Sequence, residues 1–427
     1  LECPPLASTA RRTHRRNTWP MNGKKSTTIR SSGALKGVRV IDLTRVWAGP
    51  LGTRILGDFG AEVIKVSDPR LPADRMGGLY GKLNRNKSSL GLRLDTEVGR
   101  RIFLELVTIS DVVIENFRPR VMPNLNLTYD EIMKANPSIV MCAMPGYGAE
   151  GPYAEFPAFG STAEAASGVV SMLGYTTDRP IQTGMSYADP VSGLNSVGVV
   201  MTYLRRSRAT GKGQYIDLAL ADSPVCMIGE YLVANSAISH LPTERGNEHP
   251  DHAPHGVNRA DGDDNWVAIS VTTNDEWQAL CSVIGGDRLS DSRFSTQDGR
   301  KRFEEDIDAV ISDWAKSRDT VSIMTQLQEA GVRAGRVSNN QELLNDPHLA
   351  ANDFFADIDE GENGLKRYDG QSIRGNILDK SEWKAGPILG QDSKHVLVNL
   401  LGYSEADCAA LAIDGTSVFN DESSTQS

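Results

Sequence analysis

No stretch of this 427-residue chain approaches the roughly 20 consecutive apolar residues that cross a bilayer, so no membrane-spanning helix is predicted. Cysteine is scarce: Cys3, Cys142, Cys226, Cys281 and Cys408 are scattered and odd in number, with no C-x-x-C pair. That pattern excludes a disulfide framework and suits a reducing compartment, with the cysteines acting as small apolar side chains. Several fingerprints are also missing. No G-x-G-x-x-G follows the first predicted strand, which argues against a dinucleotide site, and no G-x-S-x-G supplies the nucleophile elbow of an α/β hydrolase. Gly211-Lys-Gly-Gln214 lacks the spacing and the Ser/Thr of a phosphate-binding loop and reads as a tight turn. The N-terminal segment has no apolar h-region, so it is not a secretory signal.

What is present is ordinary globular composition with an uneven charge. The first 30 residues hold seven Lys/Arg against Glu2 alone, so the rest of the chain is more acidic than the overall −10. An acidic body argues against nucleic acid as a partner. The basic segment 1-32 is expected to be a disordered tail; its Arg/Ser/Thr-rich character also suits a mitochondrial transit peptide or upstream sequence before Met21. The expected location is cytoplasmic, or the mitochondrial matrix if that segment is a transit peptide.

From Gly37 strands and helices alternate, which predicts an α/β fold with a mostly parallel sheet. Val38–Leu43, a helix over Ala48–Phe59 and Glu62–Val66 form a βαβ unit. Its loop Thr44–Gly49 should lie at the carboxyl end of the first strand, where open α/β sheets bind ligands. Residues 68–82 read as loop. Strands are expected at Asn84–Leu94, Asp111–Phe117, Ile139–Met144 and Tyr215–Leu218. Helices are expected over Glu97–Ile109, Thr128–Ala135, Ser161–Leu173, Pro190–Arg208 and Asp222–Asn235. The spans predict a large domain over 33-225, a linker over 226-245, a small domain over 246-345 and a return segment over 346-427 that completes the large domain and ends in disorder.

Two constellations invite chemistry. His249, His252 and His255 recur every third residue beside Asp251, but two prolines prevent a helix that would align them, and no metal site is predicted. Asp189 stands directly before Pro190 at the start of an apolar helix, within GMSYADPVSGL. Position alone fits a helix N-cap as well as a catalytic carboxylate.

Ordered blocks decide between these. LKGVRVIDLTRVWAGPLG, NRNKSSLGLRL, DVVIENFRPRVM, PGYGAEGPYA, YADPVSGL, ATGKGQYIDLAL, GNEHPDHAPHGV and NDPHLAANDFF resemble, in that order, the family III CoA transferases. That group spans formyl-CoA transferase, carnitine CoA-transferases and α-methylacyl-CoA racemases. The resemblance implies a Rossmann-like large domain, a smaller α/β domain and an interlocked homodimer. It places Asp189 as the catalytic aspartate and Val46, Trp47, Ala48, Leu92, Asn116, Phe117, Val121 and Tyr147 around CoA. It implies a coenzyme A thioester as substrate and no permanently bound cofactor.

Departures from the family pattern narrow the options. Trp47 stands where formyl-CoA transferase has Gln. Asp68 and Asn124 replace basic residues that help hold phosphate, leaving Arg70, Arg85, Lys87, Arg118 and Arg120 as candidates. The racemase branch needs a His where this chain has Phe159, so a two-base proton exchange lacks one base. The expected chemistry is transfer of CoA between carboxylic acids through an aspartyl anhydride and an aspartyl-CoA thioester on Asp189. Backbone donors near Gly184, Gly193 or the Asp189 helix start would serve its oxyanions. The loop Gly246–Gly256 is either a lid or a plain connector. A racemase and a non-catalytic CoA-binding protein remain the alternatives.

Overall fold

The computed structural model describes residues 33–71, 78–175, 179–238, 246–373 and 378–420. The expected basic tail 1-32 and the chain end 421–427 lie outside them. The first βαβ unit is β1 (Arg39–Asp42), α1 (Ala48–Asp58) and β2 (Glu62–Ser67), with β1 and β2 parallel and Arg39 opposite Glu62. A short helix α2 (Gly78–Asn84) follows, starting inside the 68–82 stretch expected to be loop and delaying the strand expected from Asn84 to Lys87. Burial explains that difference: Leu83 packs on Leu51 and Ile55 of α1, and tertiary contact overrides a composition rich in glycine.

The unit then repeats through β3 (Lys87–Leu92), α3 (Glu97–Thr108), β4 (Val112–Glu115), α4 (Val121–Asn124), α5 (Tyr129–Ala135) and β5 (Val140–Ala143). The Thr96 hydroxyl caps α3 by accepting from the Gly99 N–H at 2.9 Å. The helix α6 (Gly160–Ala166) is shorter than the sequence suggests, because Gly168 at φ 87° breaks it from a 3₁₀ turn over Val169–Met172. The long helix α7 (Ala188–Thr210) ends at Gly211, φ 68°, and feeds β6 (Gln214–Asp217). Beyond it the single helix expected over Asp222–Asn235 is divided into α8 (Asp222–Val225), a 3₁₀ turn and α9 (Gly229–Ala237).

A second, three-stranded antiparallel sheet comprises β7 (His255–Arg259), β8 (Trp266–Ser270) and β9 (Arg333–Arg336). It packs on α10 (Asn274–Ile284), α12 (Glu304–Ala315) and α13 (Thr320–Glu329); α11 (Gln297–Arg302) precedes α12, separated from it at Phe303. This layer has its own core of Val267, Ile269, Trp277, Leu280, Ile307, Trp314 and Leu327. The chain then forms a hairpin, β10 (Ala356–Asp359) with β11 (Leu365–Tyr368), and returns to the first sheet as β12 (Ser417–Val418), antiparallel to β3.

The seven strands of the large sheet run β12-β3-β2-β1-β4-β5-β6, all parallel except β12. Strand order reverses between β1 and β4. A crevice opens at such a switch point outside the carboxyl ends of the strands, which is where a doubly wound sheet binds ligands.

Candidate active site

Three helix starts meet at Asp189, and small residues allow it. Gly193 of α7 has no Cβ because one there would come 2.7 Å from the Ala48 carbonyl oxygen of α1. A Cβ on Gly52 would overlap the Ser196 hydroxyl. The first turns of α1 and α7 therefore lie side by side. Asp189, the second residue of α7 and only 7% exposed, accepts a hydrogen bond from the Ala48 backbone N–H at the start of α1. Gly160, which opens α6, presses on the other side: a Cβ there would overlap the Asp189 carboxylate.

The helix N-cap reading of Asp189 is therefore corrected. Tyr187 occupies the cap position, no side chain caps α7, and the carboxylate is turned toward a neighbouring helix instead. Gly193 likewise lies within the helix and serves close packing, so it is not a loop donor for an oxyanion.

The electrostatics follow from this enclosure. Burial pushes the Asp189 carboxyl up to about 6, opposed by the Ala48 N–H; no charged side chain is among the groups that shift it. A second buried carboxylate, Glu164 of α6, holds the preceding loop. It accepts from the Thr183 N–H at 2.8 Å, the Thr183 hydroxyl at 3.1 Å and the Tyr187 N–H at 2.7 Å.

Val46 and Trp47 stand beside this carboxylate in sequence, just before Ala48. Val46 has φ 69°, a left-handed conformation that a β-branched side chain adopts only under constraint. Trp47 precedes α1 and packs with Leu51, Ile55 and Leu83. Asn116, at the carboxyl end of β4, fixes the loop across the switch point. Its Oδ1 accepts from the Arg45 N–H and its Nδ2 donates to the Arg45 carbonyl, both at 2.8 Å. Glu115 orders the same turn by accepting from the Phe117 N–H at 2.7 Å. Burial pushes Glu115 up to about 7, against that hydrogen bond, with Asp217 adding to the rise.

Arg45 lines a cleft of about 1960 Å³ whose walls do not include Asp189. Leu92, Phe117 and Val121 line it together with Arg45 and Arg70. The structure thus divides the expected residues into a carboxylate group (Val46, Trp47, Ala48, Asp189) and a cleft wall (Leu92, Phe117, Val121), joined by Asn116. Tyr147 belongs to neither; its ring meets Tyr153 at 6.1 Å and Phe156 at 6.4 Å, while the adjacent Gly146 abuts Ala158 just before α6.

Among the basic candidates for phosphate, two are corrected. Arg85 is fully buried, paired with Asp58 at 2.8 Å and stacked 4.1 Å over Trp383. The Lys87 ammonium is also fully buried, bound to Asp42 at 2.8 Å and Asn84 at 3.0 Å. Both groups hold the fold together. Arg118 and Arg120 are exposed, and Arg120 pairs with Glu155 at 3.2 Å. Arg70 faces the cleft, bridging Asp68 at 2.6 Å and Asp95 at 3.0 Å.

The three histidines of the 246–256 loop are close, with His249 ring centroids 4.5 Å from His252 and 5.3 Å from His255. Among the described residues no group of His, Cys, Asp or Glu is arranged to hold a metal ion. The loop begins on the large domain, where the Gly246 N–H donates to the Gly174 carbonyl at 3.0 Å, and ends as β7.

Gly160, Glu164 and Glu115 were not singled out from sequence. A glycine pressed on a carboxylate 29 positions away leaves no local signal. Only the run of small residues in STAEAASG hinted at close approach. The resulting chemistry is that of a buried carboxylate, unpaired with any cation among the described residues. It is bonded to Ala48, three residues along α1's entry loop from Arg45, which lines a cleft large enough for an extended thioester.

Comparison with known proteins identifies the family. The family model for CoA-transferase family III matches residues 35–393. Succinyl-CoA:glutarate CoA-transferase of Homo sapiens is 28% identical over 402 residues, covering 91% of each chain. Acetyl-CoA:oxalate CoA-transferase of Acetobacter aceti is 33% identical over 342 residues, 78% of this chain and 87% of that one. The crystal structure of a CAIB/BAIF family protein from Brucella suis superposes with a TM-score of 0.78 at 27% identity, over 86% of this chain and all of that one. A match running over residues 35–393, from before the first strand to beyond the second sheet and the hairpin, leaves one assignment: this chain is an enzyme of CoA-transferase family III.

Proposed function

We propose that the protein moves CoA from an acyl-CoA donor to a carboxylic acid acceptor through covalent intermediates on Asp189. One observation carries the reading: a buried carboxylate with no cationic partner among the described residues, held between the starts of α1 and α6. Such a group is desolvated and nucleophilic once ionised.

A carboxylate oxygen of Asp189 attacks the thioester carbonyl and expels CoA thiolate, leaving a mixed anhydride. The thiolate attacks the aspartyl carbonyl, releasing the donor acid and leaving an aspartyl-CoA thioester. The acceptor carboxylate then attacks that carbonyl and frees CoA thiolate. Finally the thiolate attacks the acceptor's acyl carbon, giving the new acyl-CoA and restoring Asp189. Each step passes through an oxyanion, and the Ala48 N–H at the positive end of α1 is the donor in place to stabilise the ones formed at Asp189.

The cleft would take the CoA body, its pantetheine chain along Leu92, Phe117 and Val121. Its phosphates would face Arg70 and, from the hairpin side, Lys366 and Lys384. The substrates named for the relatives make succinyl-CoA the first donor to try and dicarboxylates such as glutarate the first acceptors. We also propose a homodimer, interlocked as the family resemblance implies. Leu232 and Val233 of α9, 51% and 70% exposed, and Met227 in the preceding turn, 48% exposed, are apolar side chains that a second copy would cover.

A racemase reading has less support, because Phe159 at the start of α6 is 67% exposed and offers no proton. A CoA exchange assay over a panel of donors and dicarboxylate acceptors tests the reading, alongside a 2-methylacyl-CoA in deuterated water. Exchange that disappears in Asp189→Ala is expected. Deuterium uptake without exchange would install the racemase, and CoA binding without either would leave a binding protein.

A further inference from the structure

We infer that Asn116 is a positioning residue for Asp189, holding the strained Val46 turn so that the Ala48 N–H points at the carboxylate. Family resemblance placed Asn116 among residues that touch CoA, but its carboxamide is occupied. Both of its hydrogen-bonding ends are engaged with one residue: its Nδ2 donates to the Arg45 carbonyl and its Oδ1 accepts from the Arg45 N–H, so the peptides on either side of Arg45 are both held. That two-point contact imitates a rung of a β-ladder and spans 71 residues of sequence at the crevice between β1 and β4.

The position of the clamp gives it leverage. The next residue is Val46, at φ 69°, where steric conflict between Cβ and the backbone favours relaxation to a negative φ. Relaxation would rotate the following peptides, and two residues on stands Ala48, whose N–H meets Asp189. The clamp on Arg45 blocks that relaxation from the upstream side; the packing of Ala48 against Gly193 blocks it from the downstream side. Glu115 supports the clamp by fixing the Phe117 N–H.

The groups facing Asp189 make its titration a direct readout. From α1 it meets the uncharged Ala48 N–H, and from α6 it meets Gly160, with Glu164 one turn on committed to Thr183 and Tyr187. Loss of the Ala48 hydrogen bond therefore appears as a further rise in the Asp189 midpoint above about 6.

The inference rests on the transferase reading for its turnover arm only; the titration arm uses no substrate. The Asp189 carboxyl is followed in the infrared as the difference between each protein and its Asp189→Asn counterpart over a pH series. Asn116→Ala should raise the midpoint by roughly half a pH unit or more. It should also lower succinyl-CoA turnover about tenfold to a hundredfold, with the KM for succinyl-CoA changed less than about threefold. In a Val46→Gly background, where φ near 69° carries no steric penalty, the same substitution should lose less than about threefold. Asn116→Asp, which keeps the acceptor for the Arg45 N–H and loses the donor, should fall between, and it decides the matter if Asn116→Ala does not fold.

An unmoved midpoint with a raised KM would overturn the inference and make Asn116 a CoA contact. An equal loss with valine or glycine at position 46 would overturn it too, since strain would then play no part. If the wild type exchanges no CoA with any pair, the transferase reading fails while the titration still decides the clamp.

Discussion

Asp42 and Asp189 are both buried carboxylates beside α1, and their surroundings could hardly differ more. Asp42 ends β1 and accepts from the Thr44 N–H, the Thr53 hydroxyl and the Lys87 ammonium, each at 2.8 Å. Burial alone would push its carboxyl up, but Lys87 and Lys65 reverse this and hold it well below the usual carboxylate range. Among the described residues Asp189 receives the Ala48 backbone N–H and no cation, so burial wins and its carboxyl rises to about 6. A carboxylate saturated with partners is a structural strut, inert as a nucleophile. One enclosed but undersupplied with partners keeps its lone pairs for a substrate.

This contrast predicts opposite stability effects. Asp42→Asn leaves buried Lys87, which burial already pulls down to about 7, without its counter-ion, and should destabilise the protein at neutral pH by about 3 kcal/mol, read from the urea midpoint. Asp189→Asn should do the reverse at pH 8, stabilising by up to roughly 3 kcal/mol. The sign follows from a folded-state value raised from 3.8 to about 6: the ionised form is penalised above that value. The gain should shrink as pH falls through 6 and vanish below about 4, where the carboxyl is protonated in both states. Destabilisation by Asp189→Asn at pH 8 would mean a hidden cationic partner and would erase the comparison.

Smaller effects sharpen the Asp189 side. Gly160→Ala puts a methyl where the carboxylate lies and should cut turnover about a hundredfold. Free CoA should bind it within about twofold of wild type, because the cleft wall of Leu92, Phe117 and Val121 is untouched. Glu164→Gln keeps one acceptor oxygen and turns an amide toward an N–H it formerly accepted from, so turnover should drop about tenfold, with the urea midpoint the control for general damage.

The layout of the large sheet was legible in the sequence because buried parallel strands such as VRVIDL and VVIEN are short apolar runs punctuated by helical periods. Asp189 was legible only through resemblance, since Asp before Pro at a helix start has an ordinary capping explanation. The contacts that surround it were not legible. Gly160 against Asp189, Asn116 against Arg45 and the backbone of Val46 are meetings of distant segments or values of φ, which a local pattern does not encode. Arg85 and Lys87 misled for the same reason: a basic turn looks like a phosphate site until Asp58 and Asp42 are seen to be waiting for it. The short helix at Gly78–Asn84 and the two-residue strand at Ser417–Val418 depend on what they dock against, respectively α1 and β3.

The central claim is that Asp189 forms a bond to the substrate. Protein incubated with succinyl-CoA, quenched in acid and digested, is examined by mass spectrometry for the peptide carrying Asp189. The account predicts a CoA or succinyl adduct on that residue, formed faster as pH rises through about 6 and absent in Asp189→Asn. CoA exchange at the wild-type rate in Asp189→Asn, or an adduct on another residue, would contradict it.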